Sequence, residues 1–174
     1  DYETALPIWR ELAQGGNADA EYALGVTYFK GEGVPRALSE SMKWFERAAK
    51  SGNVNAMFNL GAAYWEGNGT RQSYAEAVEW WEKSAADGQP ASQYNLGLAY
   101  YLGKGVEQDL DKSIKWIRQA AENDHAGAKH IIPVIENELP QSALPEISTT
   151  DREAPTRTTS SSTTGKANVI AADY

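Results

Sequence analysis

The stretch "NLGAAYWEGNG", Asn59 to Gly69, occurs in three versions along the chain. It reads "ALGVTYFKGEG" from Ala23 and "NLGLAYYLGKG" from Asn95. A 36-residue period is clearest at the glycine after leucine and at a later tryptophan, that is, at Gly25, Gly61 and Gly97 and at Trp44, Trp80 and Trp116. A period of this length indicates one structural unit stacked several times, so it outweighs any local reading of the sequence.

Each unit has the pattern of two helices. In the second unit Ala56, Leu60 and Tyr64 follow helical spacing, and the glycines of "EGNG" then end the helix. A second helix is predicted from about Tyr74 to Ala86, with Trp80 filling the gap between units. The period therefore predicts an all-α solenoid of antiparallel helix pairs. We expect it over residues 1–139, as a half unit 1–16, repeats 17–52, 53–88 and 89–124, and a capping helix 125–139.

Composition limits the kinds of partner. The formal net charge is -8 and no cluster of Lys or Arg occurs, which disfavours nucleic acid because phosphate binding needs a basic surface. No apolar run is long enough to span a bilayer. Cysteine is absent, which excludes disulfides and thiolate metal sites. The sequence opens at Asp1 rather than Met, as it would after removal of a leader.

The repeated residues carry a family resemblance. The pattern Ala-x-x-x-Leu-Gly-x-x-Tyr-x-x-Gly-x-Gly, followed by Trp, Ala-Ala and a closing Gly, resembles the Sel-one-like repeat (SLR) family, a relative of the tetratricopeptide repeats. It is matched three times from about Asn17 to Asp124, with departures at Thr70 and at Asp124 itself. The resemblance implies a right-handed helical solenoid that acts mostly as a protein-binding scaffold.

Adjacent aromatic residues near the end of each first helix suggest the binding face. Tyr28, Tyr64 and Tyr100 are expected to pack within the helix pair, whereas the next residue is rotated by about 100°. Comparison with tetratricopeptide arrays places that residue, and another aromatic seven positions earlier, on a concave groove suited to a peptide or a partner helix. The predicted partner-binding residues are Tyr22, Phe29, Phe58, Trp65, Tyr94 and Tyr101. Packing against the neighbouring first helix alone stays open for Tyr22, Phe58 and Tyr94.

Catalytic chemistry has little support in the sequence. His125 and His130 are about 140° apart on a helix, which does not suit paired metal ligands, and no nucleophile motif occurs. We therefore predict no catalytic, metal or cofactor site and a non-enzymatic adaptor of a bacterial envelope, periplasmic or secreted. A binder of cell-wall glycan or muropeptide is the alternative, because aromatic stripes also stack on sugars, and a hydrolase is a third.

The last part of the chain has a different composition. Residues 140–174 are rich in Ser, Thr and Pro without periodicity, which predicts a linker and tail. The final "NVIAADY", Asn168 to Tyr174, is more apolar. It could reach the groove of its own or a neighbouring molecule, so self-association of the tail in the groove is a further hypothesis.

Overall fold

The structure, a computed structural model, describes residues 2–138. Within that range the chain forms eight α-helices and no strand. The helices are α1 Tyr2–Gln14, α2 Ala18–Lys30, α3 Leu38–Lys50, α4 Val54–Glu66, α5 Tyr74–Ala86, α6 Pro90–Leu102, α7 Leu110–Glu122 and α8 Ala126–Glu138. Helices α2 and α3, α4 and α5, and α6 and α7 form units of two, and each unit packs on the next. The predicted all-α solenoid is confirmed. The predicted linker and tail lie outside the described residues.

Polar caps and glycines set the ends of the first helices. The side chains of Asn17 and Asn53 each accept a hydrogen bond of 2.9 Å from a backbone N–H in the first turn, of Ala20 and Ala56 respectively. This satisfies one of the donors that a helix start leaves without an intrahelical partner. The same helices end at glycines with left-handed backbone conformation, namely Gly31, Gly67 and Gly103.

A glycine on each first helix lets the second helix of the unit approach closely. A Cβ atom added to Gly61 would lie 2.3 Å from Nε1 of Trp81, which is too short for any real Cβ atom, so a larger residue would force the indole to move. Trp81 is only 1 % exposed, and its indole N–H donates to the carbonyl of Phe58 at 3.3 Å. The other units repeat this contact between Gly25 and Phe45 and between Gly97 and Ile117.

The repeated tryptophan is not the deeply buried one. Trp80, which was expected to fill the gap between units as a buried residue, is only half-buried, with the ammonium of Lys83 4.2 Å from its ring centroid. It packs from outside against the apolar cluster of α3 and α4, so its predicted place between units is right while its burial is not. Trp81 points about 100° away around α5, into the contact with Gly61.

A buried carboxylate joins the first three helices. Glu21 is 2 % exposed and accepts hydrogen bonds from Arg47 at 3.1 Å and from Ser51 at 3.0 Å. The guanidinium of Arg47 also donates to the backbone carbonyl of Ala13, at the end of α1, at 2.8 Å. One arginine therefore neutralises a buried charge and ties α1 to α2 and α3.

Replacing Arg47 with methionine should lower the free energy of unfolding by about 2 to 3 kcal/mol, because it leaves the carboxylate of Glu21 buried without its counter-ion. Urea denaturation followed by circular dichroism measures the change. The second unit already carries Met57 at the position equivalent to Glu21. The double variant Glu21→Met/Arg47→Met should therefore recover most of the loss, and a double variant as unstable as Arg47→Met alone would contradict this explanation.

Candidate functional site

The first helices together form one side of the solenoid, called the inner side below. Helix α2 approaches α4, and α6 approaches α8, whereas no two of the second helices described come as close to each other. The inner side is nearly free of charge at its centre, because Glu66 is the only charged residue of α4 and α6. The second helices behind them, α5 and α7, carry four and five charged residues. At the centre of the solenoid, first helices with one charged residue are thus backed by second helices with several.

The six predicted partner-binding residues fall into two groups. Four keep part of their side chain exposed, namely Tyr22, Phe29, Phe58 and Tyr101. Trp65 and Tyr94 are each only 6 % exposed. The expectation that all six lie open in a groove is therefore wrong for these two. Whether any of the six binds a partner stays a prediction.

Trp65 is buried by aromatic neighbours from the second helix of its own unit. Its ring centroid lies 4.6 Å from that of Tyr74 in an edge-to-face arrangement and 5.1 Å from that of Trp81. Gln72 fixes the turn between the helices by donating to the carbonyl of Trp65 at 2.8 Å and to the hydroxyl of Tyr74 at 3.2 Å. The side chain of Lys104, in the loop of the next unit, adds an ammonium 5.7 Å from the Trp65 ring centroid and 5.1 Å from that of Tyr74.

Tyr94 is buried at the junction with the last described helix. Its ring stacks on His125 with centroids 4.3 Å apart and an interplanar angle of 22°. Burial raises the pKa of its phenol, because the charged phenolate would lose its hydration. Tyr94 therefore supports the position of α8 through the residue that precedes this helix.

Tyr101 and Phe29 each lie next to a charged group. The hydroxyl of Tyr101 donates to the carboxylate of Glu138 at 2.8 Å. That hydrogen bond is the main cause of a raised pKa of Tyr101, because it requires the protonated phenol. The guanidinium of Arg36 lies 5.8 Å from the centroid of the Phe29 ring.

Tyr22 and Phe58 occupy equivalent positions of successive units. The ring of Tyr22 lies 5.9 Å from that of Phe45 and packs against the cluster of α3 and α4, so part of its role is structural. Phe58 is half-buried one repeat further along.

Two residues that sequence reasoning missed, Tyr74 and Lys104, complete the surroundings of Trp65. Lys104 stands between the two loop glycines where the other units have Glu32 and Asn68, and this difference was the only sign of it in the sequence.

Metal-binding geometry and membrane-spanning helices were sought in the same part of the chain. Among residues 2–138, no three His, Asp or Glu side chains are grouped so that they could hold a metal ion. None of the helices described there has the length and apolar character needed to cross a bilayer.

Comparison with protein families matches the whole of the repeated region. The family described as "Sel1 repeat" matches three times, at residues 18–53, 54–89 and 90–125. The chain belongs to the Sel1 repeat family. Repeats of this family generally serve as scaffolds for protein–protein interaction, and the resemblance noted in the sequence is confirmed.

Solved structures of Sel1 repeat proteins share this fold. The chain is similar, at 40 % identity and a TM-score of 0.70, to c5321, a protective antigen of uropathogenic Escherichia coli strains that displays an SLR fold. That match covers 71 % of this chain but only 27 % of the antigen, so the chain spans about a quarter of that protein's length. It is also similar to a Sel1 repeat protein from Oxalobacter formigenes, at 29 % identity and a TM-score of 0.70, with 74 % of this chain and 97 % of that one covered. No curated protein matches the chain.

Proposed function

We propose that this Sel1 repeat protein is a non-enzymatic scaffold that binds a peptide segment of a partner protein along the inner side of its first helices. The observation that carries the proposal is the composition of that side, where half-buried rings recur on successive first helices and the two central ones, α4 and α6, carry a single charged residue, Glu66. Because neighbouring helices already restrict these rings, they would lose little further conformational entropy when they bury more area against a peptide. The usual scaffold role of the family supports the same conclusion.

The roles of the six aromatic residues follow from their exposure. The four that keep exposed area are proposed to contact the partner directly: Tyr22, Phe29, Phe58 and Tyr101. Trp65 and Tyr94 lie beneath this surface and are proposed to shape it. Removing one of the exposed rings should then affect binding more than it affects folding.

The bacterial envelope is the proposed location, with the protein periplasmic or secreted. The supporting observation is similarity to Sel1 proteins from two bacteria, one of which is described as a protective antigen. Fractionation of the source cells, with detection of the native protein by antibody, tests this. Recovery of the protein with the cytoplasmic fraction would contradict the proposed location.

Tyr101→Ala should weaken partner binding at least about ten-fold, because it removes one of the four exposed rings of the proposed interface. Tyr100→Ala is the matched control. Tyr100 is also half-buried, but its hydroxyl points to Glu82 of α5 at 3.4 Å instead of to α8, and Lys112 lies over its ring. Binding is measured by calorimetry with a partner captured from envelope extract on the wild-type protein. Equal loss in both variants would contradict the assignment of the inner side.

The same experiment separates the other candidate ligands. Capture of glycan or muropeptide fragments instead of protein, lost with Tyr101→Ala, would favour the cell-wall alternative. A chain that ends at residue 148 lacks the final apolar stretch, residues 168–174, and so lacks any competition from it. If this chain binds the partner more tightly than the full chain does, docking of the stretch onto this surface is supported. Turnover of the captured ligand by the purified protein would contradict the non-enzymatic assignment.

A further inference from the structure

The ring pair of Trp65 and Tyr74 holds an ammonium group from a neighbouring unit. Nζ of Lys104 lies 5.7 Å and 5.1 Å from the two ring centroids, within the range of a cation–π contact. No carboxylate of residues 2–138 forms an ion pair with Lys104. Among residues 2–138, the faces of these two rings are thus the groups that lie against this ammonium.

A second lysine–tryptophan contact in the described part of the chain is arranged differently. Lys83 lies three residues from Trp80 on the same helix and contacts a single ring, as a surface pair of one helix would. Lys104 instead reaches across from the loop between α6 and α7 to two rings contributed by α4 and α5. This second geometry resembles a recognition site for a cation, with a side chain of the same protein as its occupant.

The occupant can leave without a change in the backbone. The backbone N–H of Lys104 donates to the carbonyl of Ala99 at 3.1 Å, which holds the loop in place. The side chain itself is exposed, so a change of rotamer moves its ammonium into water. Trp65 is 6 % exposed with the Lys104 ammonium over its ring, so movement of that side chain would leave this face of the ring open to a ligand beside the proposed peptide-binding surface.

From this geometry we infer that Trp65 and Tyr74 form a site for a cationic side chain of the partner, lysine or arginine, and that Lys104 occupies it until the partner binds. The inference rests on the proposed function and adds the chemistry of one partner residue. Charge agrees with it, because the formal net charge of -8 attracts basic segments to the protein. A guanidinium, which is more weakly hydrated than an ammonium, should displace Lys104 most readily.

A small cation tests the site without the partner. The full chain labelled with ¹⁵N is titrated with tetramethylammonium chloride, with sodium chloride and with tert-butanol, a neutral molecule of similar size. The Trp65 indole N–H signal is assigned with Trp65→Phe. We expect a saturable shift of that signal with tetramethylammonium and none with sodium chloride or tert-butanol. The affinity for tetramethylammonium should be about three- to five-fold higher in Lys104→Ala than in the wild type. Lys83→Ala, which removes the same charge from above Trp80, should leave the affinity at Trp65 unchanged.

Two results would overturn the inference. If the Trp65 signal does not respond to tetramethylammonium in either the wild type or Lys104→Ala, the rings are closed and the lysine contact serves only to join two units. If Lys104→Ala and Lys83→Ala raise the affinity equally, the effect is one of net charge. Neither result bears on the proposed scaffold function, which the comparison of Tyr101→Ala with Tyr100→Ala tests separately.

Discussion

Replacing Trp81 with alanine should lower the free energy of unfolding by about 3 to 5 kcal/mol, the range for removing a large buried aromatic side chain. Trp81 is 1 % exposed and fills the space that Gly61 leaves between the helices of the second unit. It also supports the ring of Trp65. The variant therefore loses the transfer free energy of an indole, creates a cavity, and leaves the carbonyl of Phe58 without the hydrogen bond that the indole donates. Urea denaturation followed by circular dichroism measures the loss.

Trp80→Ala is the matched control for this prediction. Both substitutions remove one indole from neighbouring positions of α5, but Trp80 is half-buried. Its loss should be about 1 to 2 kcal/mol, because less apolar area returns to water. In a short array each unit depends on its neighbours. Trp81→Ala should therefore also lower the melting temperature of the whole solenoid or broaden its unfolding transition. An equal or larger loss for Trp80→Ala would show that the half-buried indole is the one that holds the units together.

The repeat period predicted the fold well because it reports directly on stacked units. The leucine–glycine pairs placed the first helices, and the glycine clusters placed their ends. Burial within a helix was harder to predict. Trp44, Trp80 and Trp116 repeat by identity but are only half-buried. The buried position next to each varies in type, as Phe45, Trp81 and Ile117. A repeated residue type thus marked a position in the unit and not the depth of that position in the core.

The candidate site was predictable only in part, because its outcome depends on contacts between different elements. Helical spacing placed Trp65 on the inner side, but the same spacing cannot show that Tyr74 covers it from the next helix. The contact of Lys104 with these rings joins residues about 30 to 40 positions apart and leaves no periodic signal in the sequence. Helical spacing therefore predicted which helices carry the rings but not which of the rings stay exposed.

Replacing Gly105 with alanine should destabilise the protein by about 3 to 4 kcal/mol. Gly105 has a φ of 76°, where a Cβ atom costs about 1 to 2 kcal/mol. An added Cβ would also lie 2.3 Å from the carbonyl oxygen of Tyr74, at the start of α5 in the preceding unit. Because that neighbour is backbone and not a flexible side chain, the two units must move apart, which adds the cost of overpacking. Thermal and urea denaturation of the full chain measure the effect.

Gly88→Ala separates the two contributions. Gly88 has a similar φ of 85°, but an added Cβ would meet nothing within 4 Å. Gly88→Ala should therefore lower the free energy of unfolding only by the conformational cost of about 1 to 2 kcal/mol. The difference between the two variants then measures how closely the loop of one unit packs on the helix of the unit before it. Gly69, whose added Cβ would lie 2.6 Å from the carbonyl oxygen of Leu38, should behave like Gly105 because it makes the same contact one unit earlier. Equal destabilisation by Gly105→Ala and Gly88→Ala would mean that the loops can shift freely, and that stacking between units depends on the helices alone.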